Sequence, residues 1–172
     1  MPRKVDMEDL LRSKRKTFNY IIDHYWEEYR EFARTVEDPL REKLERLLQA
    51  EFGSRSPKLS VSLDPNLDTV LGFYFVGPSW FEGINVTVPL DYDINNVLSV
   101  LAHEVGHFMA GRQQLKLPGI TRELQTGLEG FKYAVKWGVP PEYVYDLVIR
   151  THHPRKLAER LGVEIRKLIG GE

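Results

Sequence analysis

His103-Glu104-Val105-Gly106-His107 sets two imidazoles four residues apart, with a carboxylate next to the first. On a helix, positions four apart share a face, so both rings can reach one Zn²⁺ at roughly 2 Å. Glu104 then sits beside that face, able to touch a zinc-bound water without being a ligand. Zinc lowers the pKa of such a water towards about 7, and a glutamate so placed takes its proton and passes it to a leaving amine. The spacing therefore points to metal-assisted hydrolysis of a peptide bond. His103 and His107 would be the ligands and Glu104 the general base. A chain with five His can also make this pattern by accident on an amphipathic helix, so the neighbouring residues must decide.

Those neighbours favour a metal site. Ile94, Val97, Leu98, Leu101, Val105, Phe108 and Met109 form one apolar helix face, which suits a core. The two His fall opposite, among Asn96, Ser99, Val100, Gly106 and Ala110, where small side chains leave room for a metal and a second backbone. A catalytic zinc keeps three protein ligands and an open position, and with no cysteine the third must be His, Asp or Glu. The metzincin continuation is absent, since Ala110 and Gln113 stand where it needs Gly and His. The next helix offers Glu123 and Glu129. Glu129 shares a polar stripe with Gln125, Lys132 and Lys136, suited to solvated Glu–Lys pairs. Glu123 shares its face with Gly127, Gly130 and Ala134, beside the apolar stripe Ile120, Leu124, Leu128, Phe131 and Val135. A small-residue face can pack closely on the zinc helix and deliver a carboxylate, so Glu123 is the preferred ligand and Glu129 the alternative. Glu123 could also serve only to compensate a helix dipole.

The elements that must position these groups are legible in the periodicity. Leu11, Phe18, Ile22, Tyr25, Tyr29, Phe32 and Val36 make one helical stripe, and Asp38-Pro39 reads as the cap and first residue of a second helix that Gly53 closes. Together they predict an N-terminal helical hairpin over residues 1–53. From Lys58 to Pro89 the period falls to about two, predicting about three strands punctuated by Asp64-Pro65-Asn66, Gly77-Pro78 and Glu82-Gly83. Helices follow over Asp93 to about Arg112, Thr121 to Gly138, Pro141 to about Thr151, and from Pro154 onward. Segregated strands and helices predict an α+β fold in a single domain over 1–172, with the catalytic core in 54–172.

Composition sets broader bounds. The 172 residues are 42% hydrophobic and 28% charged with net charge −1, so nothing draws the chain as a whole to nucleic acid or anionic membrane. Arg12, Lys14, Arg15 and Lys16 read as a solvated helix face. Met1 to Asp9 has no apolar signal-peptide core, and Val97 to Ala110 is interrupted by His103, Glu104 and His107. A cytoplasmic protein is expected.

HEVGH, preceded by Val97-Leu98-Ser99-Val100-Leu101-Ala102 and followed by a glutamate-bearing helix, resembles the zincin metallopeptidases of gluzincin type. The stretch Tyr133 to Val144 and the segment Leu157 to Val163 are similar to parts of the ImmA/IrrE group. The resemblance implies a zincin-like domain with a small mixed sheet, one catalytic zinc on His103, His107 and Glu123, and an endopeptidase activity on peptide or protein substrates. It also implies that substrate pairs with an edge strand beside the zinc helix, for which Gly83 to Pro89 is the candidate. A donor to the tetrahedral oxyanion is implied too, with His152, His153, Tyr143 and Tyr145 available and Asp146 as a supporting acid. Gly127 departs from the family pattern, which carries Asp or Asn four residues after the glutamate to support a His. That departure, with the histidine-bearing C-terminal segment, motivates the alternative of a latent or degenerate zincin-fold regulatory protein. The tail is short for a recognition helix and is expected to pack.

Overall fold

The computed structural model describes residues 6–13, 18–78, 81–113, 119–151 and 155–170. In chain order the elements are α1 (Met7–Ser13), α2 (Phe18–His24), α3 (Trp26–Phe52), β1 (Lys58–Leu63), β2 (Leu71–Val76), β3 (Glu82–Val88), α4 (Ile94–Gln113), α5 (Gly119–Lys136), α6 (Pro141–Thr151) and α7 (Arg155–Gly170). The fold is α+β, with one three-stranded mixed sheet among the described residues. None of the described helices is long and apolar enough to cross a membrane.

The strands alternate as their period requires. Leu59, Val61 and Leu63 of β1 pair in parallel register with Ile84, Val86 and Val88 of β3. Gly72 and Tyr74 of β2 lie antiparallel opposite Val86 and Ile84. This face packs inward, with Val61, Leu63, Ile84, Val86 and Val88 all buried. The sheet order is β1-β3-β2. That order corrects the expected substrate edge: β3, which contains Gly83–Val88, is the central strand and its backbone is paired on both sides. The outer strand beside α4 is β2. The cause is local, because the Gly77-Pro78 turn folds β3 back onto β2 as a hairpin, while β1 reaches β3's other side through a longer connection.

The N-terminal region also differs from expectation. Instead of a two-helix hairpin with a break at Pro39, there are two short helices and one long one, and Pro39 lies inside α3. Tyr29, Ala33, Leu40, Leu44 and Leu48 form one buried stripe running through the proline. Burying that continuous stripe outweighs the backbone hydrogen bond that a proline removes. The stop at Gly53 is as read, with φ at 55°. Tyr29 Oη donates to the Leu63 carbonyl at 2.9 Å, and the Leu63 N–H donates to Glu37 Oε1 at 2.9 Å, so α3 grips the end of β1.

α4 is covered on both sides. Its apolar face meets the sheet and α3, where Phe52 lies edge-on to Phe108 with ring centroids 5.1 Å apart. Its small-residue face meets α5 so closely that a Cβ on Gly130 would sit 3.0 Å from His103 Cα, and one on Gly106 would sit 2.3 Å from the Thr126 carbonyl oxygen. These pairs run in opposite chain directions, so α4 and α5 are antiparallel. Gly130→Ala is expected to cost about 1–3 kcal/mol in denaturant unfolding, because the added methyl meets backbone that cannot turn aside. Gly127→Ala should cost less, since its Cβ would meet only the end of the Leu161 side chain and a helical glycine is itself about 1 kcal/mol unfavourable. α7 packs as expected of the tail, burying Leu157, Ala158, Leu161, Gly162 and Ile165.

Candidate metal centre

Helix periodicity puts His103 and His107 on one face of α4, where their ring centroids are 4.8 Å apart and their planes 87° from parallel. The antiparallel register of α5, fixed at Gly130–His103 and Thr126–Gly106, carries the first turns of α5 back alongside His107. Glu123 stands there. One ligand atom from each of His103, His107 and Glu123 lies within 4.8 Å of the other two, and all three side chains are half-buried. A tetrahedral site at roughly 2 Å separates ligand atoms by roughly 3.3 Å, so small side-chain rotations close the remaining distance. Two imidazoles and one carboxylate are a donor set suited to zinc, and the group can hold a metal ion. Burial lowers the pKa of His107, against the opposing pull of the Glu123 charge. The neutral ring so favoured is the form that ligates.

Glu104 is buried, with 8% of its surface exposed. Burial pushes its carboxyl up to about 7, against a hydrogen bond from the Tyr74 backbone N–H that favours the charged form; the Glu123 charge adds to the rise. A carboxyl balanced near neutrality can accept a proton and return it. β2 comes this near only because residue 72 is glycine: a Cβ there would lie 2.5 Å from Val100 Cγ1 and 2.9 Å from Glu104 Oε1. The fold favours the acid form of Glu104 in the metal-free protein. Its stabilising contribution is complete below an unfolded glutamate's pKa of about 4.3 and is lost as pH rises through about 7. Glu104→Gln should therefore stabilise the chelated protein at pH 8 relative to wild type by about 2 kcal/mol, and the difference should vanish near pH 4. Denaturant midpoints across that range measure it.

The other candidates go elsewhere. Glu129 pairs with Lys132 at 3.3 Å on an exposed face, as its stripe suggested. Tyr143 donates to Asp93 Oδ2 at 3.0 Å, just before the start of α4. Asp93 lies about 15 Å along the helix axis from His103, at roughly 1.5 Å per residue, so this hydroxyl is not beside the metal ligands. The Tyr145 ring lies under the Arg166 guanidinium at 3.9 Å, and Asp146 is exposed. His152 and His153 lie outside the described residues. Gly127 faces α7: a Cβ there would meet Leu161 Cδ2 at 2.5 Å, so the position holds a helix contact rather than support for a His. Two features of the site escaped the sequence reading, the Tyr74 N–H and the clearance at Gly72. A glycine inside a strand is a known mark of close backbone approach and was the available signal.

Comparisons with protein-family models, with curated proteins and with solved structures gave no significant match. The site thus stands on its own geometry: an HExxH-type arrangement whose two His are joined by a glutamate from the following helix.

Proposed function

We propose that this chain is a zinc-dependent peptidase of gluzincin type. The observation that carries the reading is the convergence of Glu123, from a separate helix, on the two His of HEVGH while Glu104 stays outside the ligand group. His103, His107 and Glu123 would hold the metal. Zinc bound there would supply Lewis acidity, polarising a substrate carbonyl and acidifying a water. Glu104, held by the Tyr74 N–H, takes the proton from the attacking water and delivers it to the leaving nitrogen. Its burial keeps bulk water from competing for that proton. The edge of β2 facing Glu104 is the rail along which an extended substrate would pair by backbone hydrogen bonds, in place of β3.

The test is hydrolysis of an unfolded protein such as reduced casein by the zinc-loaded chain. Cleavage abolished by a chelator and restored by zinc is expected. A stoichiometrically loaded protein that cleaves no peptide would sink the peptidase reading and favour a regulatory role.

A further inference from the structure

β2 does more than flank α4. In an antiparallel ladder alternate residues turn their N–H away from the partner strand. Tyr74 is one of these, and its N–H goes to the Glu104 carboxylate. Two residues earlier, on the same face of the sheet, stands Gly72. A Cβ there would lie 2.5 Å from Val100 Cγ1 and 2.9 Å from both Cγ and Oε1 of Glu104, closer than packed side chains come. We infer that Gly72 is a positioning residue: its missing side chain lets β2 close on α4 until the Tyr74 N–H holds the Glu104 carboxylate where it meets the attacking water. This rests on the peptidase reading above, and adds to the residue that takes the proton one that places it.

The backbones on either side of this contact are fixed. Register with β3 sets Gly72 opposite Val86 and Tyr74 opposite Ile84, and both of those partners are fully buried. The Tyr74 hydroxyl donates to Glu82 Oε1 at 3.2 Å, and its ring stands edge-on to Phe108 with centroids 6.4 Å apart. Behind α4, the close approach of α5 at Gly106 and Gly130 leaves the helix no room to retreat. Volume added at position 72 therefore falls on the side chains of Val100 and Glu104. Gly72, Val100 and Glu104 all border a cavity of about 540 Å³, so a displaced Glu104 has somewhere to swing, away from Tyr74. The expected result of a methyl at 72 is thus a misplaced base in a folded protein. Misplacement by about 1 Å can cost about 10²-fold in rate. Gly83 supplies the contrast. A Cβ there would run into the Phe75 ring, on the opposite face of the sheet from Tyr74, so it strains the same sheet without touching Glu104.

The experiment compares zinc-loaded wild type with Gly72→Ala, Val100→Ala, the double variant of these two, and Gly83→Ala. Each is measured by kcat and KM on a peptide, by denaturant midpoint, and by hydrogen exchange at the Tyr74 amide. Gly72→Ala should lower kcat about 10–100-fold with KM and zinc content nearly unchanged. Its Tyr74 amide, protected in wild type, should exchange at least about 10-fold faster. Val100→Ala removes the nearest clash but leaves the one with Glu104. The double variant should therefore regain the midpoint of Val100→Ala while its kcat stays about 10–100-fold below that reference. Should Gly72→Ala not fold, the double variant carries the kinetic and exchange measurements. Gly83→Ala should lower the midpoint and leave kcat and Tyr74 exchange as in wild type. Midpoint and kcat recovering together in the double variant would mark a purely structural glycine and overturn the inference, as would an unprotected Tyr74 amide in wild type. Wild type that cleaves no peptide sinks the peptidase reading, while Tyr74 protection lost in Gly72→Ala still supports the placing of Glu104.

Discussion

Glu104→Gln is expected to lower kcat on a peptide substrate by about 10²–10⁴-fold while zinc stays at one per chain. The two halves of this result have separate causes. Glu104 is not in the ligand group, which consists of His103, His107 and Glu123, so the amide has no reason to release the metal. Glutamine is nearly the same shape as glutamate and fits the space left by Gly72 and Val100, so the site keeps its packing. What it loses is the ability to accept a proton, because an amide is not a base at neutral pH. KM should change little, since the deficit falls on the chemical step. Glu104→Asp is an informative companion. It retains the base but draws it back by one methylene, away from the Tyr74 N–H, and should recover only part of the lost rate.

The second large effect concerns the ligand that HExxH does not contain. Glu123→Ala is expected to weaken zinc binding by more than about 100-fold in a competitive chelator titration. Removing a mere outer partner of a ligand already costs about 10–100-fold, and the Glu123 carboxylate lies within 4.8 Å of the two His ligand atoms, as one of the three proposed ligands. Glu129→Ala is the matched control. Its carboxylate pairs with Lys132 on the exposed side of the same helix, and such a pair is worth little, so both zinc affinity and stability should match wild type. Equal losses from the two variants would contradict the face assignment on α5.

How far the sequence reaches into this structure depends on what each signal measures. Periodicity located α4 to α7 and three strands closely, because amphipathic faces are buried where the pattern places them. It also separated Glu123 from Glu129, since small residues at Gly130 and a Glu–Lys stripe at Glu129 and Lys132 predict opposite environments on one helix. It failed at Pro39, where a local breaker signal was overridden by the buried stripe from Tyr29 to Leu48. It failed again on the strand order. Alternation says which face of β3 is buried but not which strands flank it, and β3's pairing with both β1 and β2 is a matter of topology. Gly127 shows a third limit. The missing support for a His was visible in the sequence, but the reason, Leu161 from a helix more than thirty residues later, was not.

The most direct measurement is the zinc content of purified, zinc-exposed protein after extensive dialysis, made on wild type, Glu104→Gln and His107→Ala in parallel. With His103, His107 and Glu123 as the proposed zinc ligands, one zinc per chain is expected in wild type, the same in Glu104→Gln, and none in His107→Ala. Wild type that retains no zinc, or His107→Ala that retains as much as wild type, would contradict a metal centre built on HEVGH and Glu123.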